Sequence, residues 1–329
     1  PPALAKAGFT NVQLVEAQST PDGNFPTVAS PNPEESAALA MAVAQAEATG
    51  ADLVIGCDPD TDRVGIAVND GTGKMQLLNG NDTAALLVHY ILDAYKTNGT
   101  LPANGFTAAT VVTTDLIADI SAAYGVPCYR CLTGFKWIAD IINNKPEEQF
   151  LVGGEESYGY LIGDEVRDKD AVASAVMIAE MAANAKAQGR TVLQQLEAIH
   201  REFGQYQERL IAVTKKGRSG AQEIADMMTA LRNDPPKTLA GSPVIIAIDH
   251  GKSTQTDLLT GATSSTELPA SNVLQFITEA GDKVSARPSG TEPKIKFYFS
   301  VRATTGDSHA ATKAELERKI DTFIEELNL

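Results

Sequence analysis

Three aspartates at alternate positions, Asp58, Asp60 and Asp62, followed at once by Arg63, concentrate more chemical capability than any other short stretch of the 329 residues. An extended or gently turned backbone aims alternate side chains to one side. Carboxylates crowded this closely repel one another unless a hard cation lies among them. An oxygen-only donor set favours Mg2+ or another hard divalent ion. A solvated acidic turn is the plainer reading, but apolar strands are expected on both sides, at 51–57 and 64–68, and an unneutralised cluster between them is costly. An EF-hand fails, because it needs glycine where Arg63 stands and glutamate where Asn69 stands.

Three further segments carry chemistry. Gly153-Gly154-Glu155-Glu156-Ser157-Tyr158-Gly159 offers close backbone approach, two carboxylates and a hydroxyl, which suits sugar hydroxyls or merely a tight turn. Arg287-Pro288-Ser289-Gly290-Thr291, with Lys294 and Lys296 just beyond, combines a charged fork, two hydroxyls and an open backbone N–H. That is chemically a phosphate cradle, against the plainer reading of a turn with a solvated basic rim. Thr133-Gly134-Phe135-Lys136 puts a lysine between a strand end and a helix, where it meets a phosphate, moves a proton or simply faces solvent.

The elements that must hold these segments alternate. Helix-period stretches at 34–49, 82–96 and 115–124 alternate with strand-like apolar runs at 12–15, 107–112 and 149–153, an α/β signature. Helices at 170–187 and 191–203 follow, and periodicity breaks at 203–206. Beyond the break, a helix at 218–232, strand-like runs at 243–248, 273–277 and 295–301 and a closing helix at 310–327 predict an α+β domain with a small antiparallel sheet. The predicted architecture is multi-domain: three-layer α/β domains at 1–80 and 81–204, then the α+β domain at 205–329.

Composition narrows the partners. Lys and Arg number 27 against 42 Asp and Glu, a formal net charge of -15, so the averaged field repels nucleic acid and an anionic ligand needs a local cationic pocket. No apolar run approaches the roughly 20 residues that cross a bilayer. The three cysteines, Cys57, Cys128 and Cys131, suit a reduced cytoplasmic compartment, with the Cys128/Cys131 spacing read as two semi-buried thiols. Pro1 and Pro2 lead directly into a helix-like stretch without a signal-peptide pattern, so the chain is expected to begin inside a domain.

Taken in order, Asp58 to Arg63, Thr133 to Lys136, Gly153 to Gly159 and Arg287 to Lys294 resemble the metal loop, a third-domain active-site loop, the sugar-binding loop and the phosphate-binding loop of the α-D-phosphohexomutase superfamily. The resemblance covers essentially the whole chain and corresponds to part of the second domain and all of the third and fourth. It implies Mg2+ on Asp58, Asp60 and Asp62, sugar recognition by Glu155 and Ser157, and a non-reacting phosphate on Arg287, Ser289, Gly290 and Thr291, with Lys296 at a position often basic in relatives. It implies that Arg63 and Lys136 border the transferring phosphate. Its substrates are glucose or mannose 1- and 6-phosphates, interconverted through a phosphoserine and a bisphosphate. The two glutamates of Gly154 to Gly159 resemble the glucose branch.

The family's serine lies in a Thr-Ala-Ser-His-Asn-Pro-like loop that this sequence lacks, so the chain alone is expected to be inactive. Ala29-Ser30-Pro31-Asn32-Pro33 mimics that loop but has proline for the histidine. Gly251-Lys252-Ser253 ends like a nucleotide-binding P-loop, but Ile246 stands where its first glycine belongs. Two other classes remain open: a non-catalytic phosphosugar-binding protein, and a phosphatase with Asp58 as nucleophile.

Overall fold

The first 49 residues form three helices, α1 (Pro2–Lys6), α2 (Glu16–Ser19) and α3 (Ser36–Thr49), the last stopped by Gly50 in the left-handed conformation at φ 70°. The run at 12–15, expected as a strand, is irregular. Val12 and Leu14 are exposed, and the Leu14 carbonyl accepts from the Gln45 side chain, so its hydrogen bonding goes to α3 instead of a sheet. These observations come from a computed structural model that describes residues 1–329 other than 216–218, 291, 305 and 307.

Strands β1 (Leu53–Cys57), β2 (Val64–Asn69) and β3 (Met75–Leu78) form an antiparallel sheet in that order. Pairing of Cys57 with Val64 makes residues 58–63 the hairpin connection. Leu39 of α3 packs onto this hairpin because Gly56 leaves space: a Cβ there would lie 2.2 Å from Leu39 Cδ2.

The chain continues through α4 (Gly80–Thr97), β4 (Gly105–Thr110), α5 (Leu116–Ala123), β5 (Cys128–Cys131), α6 (Lys136–Asn144), β6 (Gln149–Gly154), β7 (Tyr160–Ile162), α7 (Ala171–Ala187) and α8 (Val192–Phe203). The sheet order is β5-β4-β6-β7. Parallel pairing of β5, β4 and β6 requires each return to pass through a helix, here α5 and α6, whereas β7 turns straight back on β6. All six residues of central β4 are buried. Side chains cap the two longest helices of this region: Asn79 accepts from Asp82 N–H at 2.8 Å, and Asp170 from Val172 and Ala173 N–H.

Residues Pro1–Glu202 form one compact unit and Phe203–Leu329 a second. The second contains β8 (Gln205–Thr214), α9 (Gly220–Asn233), β9 (Thr238–Leu239), β10 (Ser242–Asp249), β11 (Thr254–Asp257), β12 (Thr263–Ser265), β13 (Leu274–Thr278), β14 (Lys283–Pro288), β15 (Lys294–Ala303) and α10 (His309–Glu326). Its antiparallel sheet runs β12-β11-β10-β13-β14-β15-β8, with β9 on β10. Phe276, Phe297, Phe299 and Phe323 centre its core. The break read at 203–206 is the start of β8, a strand whose ten residues pair along the whole of β15. Among the described residues, no helix is long and apolar enough to cross a membrane.

Candidate active site

The hairpin connection after β1 bends more sharply than alternate spacing alone suggests. Thr61 adopts φ 57°, a left-handed conformation costly for a β-branched residue. Hydrogen bonds hold it there: Asp62 and Arg63 N–H donate to Asp58 Oδ1 at 3.0 and 2.9 Å, and Ala171 N–H at the start of α7 donates to Thr61 O. The tight turn brings one carboxylate oxygen each from Asp58, Asp60 and Asp62 within 4.8 Å of one another. Three hard oxygen donors this close fit a divalent cation such as Mg2+.

The electrostatics of the cluster are uneven. Burial, opposed by the Arg63 N–H and reinforced by Asp62 and Asp60, pushes the Asp58 carboxyl up to about 6. Burial acts on Asp62 in the same sense, but hydrogen bonds from Lys169 and Asp58 outweigh it and hold Asp62 below the usual carboxylate range. Lys169 Nζ lies 2.9 Å from Asp62 Oδ2 and 3.1 Å from Asp168 Oδ1. Burial tends to lower the Lys169 amine, but those two carboxylates prevail and raise it, so it is a fixed cation at neutral pH. Arg63 places Nη1 2.7 Å from Glu34 and Nε 3.9 and 3.7 Å from Asp58 and Asp62.

Two other loops of the first unit are tied to this one. Between β6 and β7, residues 155–159 turn with Tyr158 at φ 69°, and the Tyr158 carbonyl accepts from Val64 N–H at 3.0 Å. Gly159 leaves room for the Lys169 side chain beside the aspartate loop, because a Cβ there would lie 2.2 Å from Lys169 Cδ. Glu155 is buried and accepts from Gly134 N–H at 2.7 Å, which fixes the 133–136 loop. Lys169 Nζ also stands 5.4 Å from the Phe135 ring centre. The Thr133 hydroxyl is buried without a hydrogen-bond partner in the structure, a polar atom left for a ligand or water. Ser157 is half-buried in the same turn.

In the second unit, the 289–293 loop joins β14 to β15. Register places Arg287 directly opposite Lys296, so two cations are cross-strand neighbours at the mouth of the loop. Ser289 N–H donates to Lys294 O at 2.7 Å, and Gly290 is open around its Cα. A cleft of about 450 Å³ runs along α9 and is walled by Ser289, Gly290 and Glu292. Thr291 lies outside the described residues.

The family description "Phosphoglucomutase/phosphomannomutase, alpha/beta/alpha domain II" matches residues 1–72, and the corresponding domain III description matches 79–203. The chain belongs to the α-D-phosphohexomutase superfamily. It is 38% identical over 301 residues to a probable phosphomannomutase of Haemophilus influenzae, covering 91% of this chain and 56% of that protein. A phosphoglucomutase of Staphylococcus epidermidis is 38% identical over 302 residues, covering 92% and 54%. The chain thus spans about half the length of the curated relatives it matches. Among solved structures, a phosphoglucomutase/phosphomannomutase family protein from Burkholderia thailandensis superposes with a TM-score of 0.59 at 16% identity, covering 93% of this chain and 53% of that one. The Paramecium parafusin structure, titled a phosphoglucomutase, gives 0.58 at 18% identity over 85% of this chain and 46% of that one. At such identities these two show a shared phosphohexomutase fold.

Lys136 begins α6, is exposed, and stands 5.1 Å over the Trp137 ring centre. Lys169 supplies an ammonium to the aspartate loop, 2.9 Å from Asp62. Lys169 carries no signal in the sequence, because Arg167-Asp168-Lys169-Asp170 looks like a solvated charged loop before a helix. Glu34, the partner of Arg63, was equally silent, 29 positions upstream in a proline-rich stretch.

Proposed function

We propose that this phosphohexomutase-superfamily chain carries the cation-binding, sugar-binding and phosphate-binding parts of an enzyme that interconverts hexose 1-phosphate and hexose 6-phosphate through a phosphoserine and a bisphosphate intermediate. The observation that carries the reading is the linkage of the 58–63, 133–136 and 155–159 loops around one aspartate cluster. Asp58, Asp60 and Asp62 hold Mg2+, which offsets charge on the phosphoryl oxygens when bound. Arg63 and Lys169 add fixed cations beside it, so the transferring phosphate meets N–H donors and positive groups in an otherwise acidic chain. Glu155 and Ser157 accept from and donate to the sugar hydroxyls, and Lys136 borders the transferring phosphate. Arg287, Lys296, Ser289 and Gly290 bind phosphate oxygens in the second unit, and the proposal extends to Thr291.

The 329 residues contain no Thr-Ala-Ser-His-Asn-Pro-like loop, and the Ser30 hydroxyl is engaged by Glu35 at 2.8 Å. Positioning without a covalent phosphate carrier gives no turnover, so the chain by itself binds hexose phosphate and does not isomerise it. Three free cysteines fit a reducing, cytoplasmic setting for such an enzyme. The test is a coupled assay on the complete gene product, with glucose 1-phosphate and mannose 1-phosphate as alternative substrates, Mg2+ and glucose 1,6-bisphosphate as activator, beside the 329-residue chain. Turnover by the complete protein alone, with glucose preferred, is the expected result. Hexose-phosphate binding with no turnover by either makes the protein a phosphosugar-binding module. A BeF3- adduct on Asp58 makes it a phosphatase.

A further inference from the structure

Glu34 is the one acidic side chain outside the aspartate loop that meets Arg63 at close range among the described ion pairs, and it does so at 2.7 Å. The same guanidinium stays 3.9 Å from Asp58 and 3.7 Å from Asp62, at the outer limit of ion pairing. Arg63 follows Asp62 directly, so its tether lets it fold back onto the carboxylates beside it. An arginine lying on them presents N–H donors to the oxygens that a divalent cation needs.

Glu34 is held on a stiff platform. Pro33 is buried against β2 so closely that a Cβ on Gly65 would stand 2.8 Å from the Pro33 carbonyl oxygen. Glu34 N–H donates to Asn32 Oδ1 at 3.1 Å, and Glu35 N–H to Asn32 O at 3.0 Å. Proline also restricts the residues around it. The carboxylate is therefore presented to Arg63 by fixed backbone, and both partners are only partly exposed, with side-chain exposures of 26% and 36%.

We infer that Glu34 is a positioning residue: it draws the Arg63 guanidinium away from Asp58 Oδ2 and Asp62 Oδ1, the oxygens that neither the loop N–H groups nor Lys169 engage, and keeps those two available to the divalent cation. The inference rests on the reading of Asp58, Asp60 and Asp62 as the cation site. It assigns a task to the Asn32-Pro33-Glu34 segment distinct from the nucleophile role that the nearby Ser30 mimics. Without Glu34, Arg63 pairs with the aspartates and competes with the metal, whereas in a chain lacking Arg63 there is nothing to hold off.

The experiment is a double-mutant cycle on Mn2+ affinity, read by electron paramagnetic resonance of free Mn2+ with the 329-residue chain. The four proteins are the wild type, Glu34→Gln, Arg63→Ala and the combination. Glu34→Gln keeps the shape of the side chain and the Asn32 turn, and Glu34→Ala with a thermal melt checks that a weaker site is not an unfolded one. The expected result is a loss of Mn2+ affinity of about fivefold on Glu34→Gln in the Arg63 background. The same change has no effect in the Arg63→Ala background. Equal losses in both backgrounds show that Glu34 acts directly on the cation and overturn the inference, as does no loss in either. Absence of Mn2+ binding by the wild type overturns the cation site itself, which separates the two failures.

Discussion

Asp58 answers two demands. It accepts two backbone N–H bonds that close the 58–63 turn, and it faces Asp60 and Asp62 in a partly buried place that raises its carboxyl to about 6. A cation binds the ionised form only, so acid competes with metal. Mn2+ affinity is therefore predicted to hold steady above neutrality and to fall as pH drops through about 6, measured by metal titration at fixed ionic strength. A site whose affinity is flat from pH 7 to 5 refutes this account of Asp58. Replacing both Asp58 and Asp60 with alanine is predicted to abolish the binding, and retained affinity removes them from the site. In the second unit, Arg287 opposes Lys296 at the loop mouth. Arg287→Ala is predicted to weaken inorganic phosphate and hexose phosphates alike by about 1.5–3 kcal/mol, checked by calorimetry.

At the scale of elements, α4 and the 155–159 turn fit together with no clearance. A Cβ at Gly80, the first residue of α4, would stand 1.9 Å from the Glu156 carbonyl oxygen, a backbone atom that cannot rotate away. Tyr160 reinforces the contact by donating to Gly80 O at 3.0 Å. Gly80→Ala is predicted to cost about 1–3 kcal/mol of stability and to loosen the 155–159 turn, proposed to bind sugar, at the same time. A thermal melt and hexose-phosphate titration of the same protein check both, and an unchanged melting temperature shows that the helix start has room to move. The three loops of the first unit are joined as closely, by a backbone bond from Val64 N–H to the Tyr158 carbonyl and by the Gly134 N–H donating to the Glu155 carboxylate. Each loop is short, and each depends on a neighbouring element for its shape.

At the scale of the molecule, Pro1–Glu202 and Phe203–Leu329 each close their own interior. The second unit buries four phenylalanines between its sheet and α9 and α10, and Lys319 pairs at 2.5 Å with the wholly buried Asp282. A unit with its own core is expected to fold alone. Residues 203–329 expressed separately are predicted to show one cooperative thermal transition and to retain phosphate binding through the 287–296 loop. A broad, non-cooperative melt contradicts that independence.

The aspartate loop, the glutamate turn and the arginine cradle were legible before any coordinates, because each packs its chemistry into six to ten consecutive residues. Long helices such as α4 and α10 were also legible, since apolar period and capping are local properties of the chain. Strand β8 was not: its Gln205-to-Thr214 stretch mixes polar and apolar residues and becomes a strand through pairing with β15, some 90 residues later in the register of Gln205 to Ala303 and Glu208 to Ser300. The 12–15 run failed in the opposite direction, apolar enough for a strand but bonded elsewhere. Lys169 and Glu34 were invisible for the same reason at the site: charge next to charge in a loop is commonplace, and it acquires meaning only when folding sets one against Asp62 and the other against Arg63. Local sequence determined which groups this protein brings to its chemistry, because spacing and residue type act over a few bonds. Tertiary structure alone decided which cations and carboxylates share a field, because Coulomb attraction and hydrogen bonding depend on distances in space that chain separation does not set.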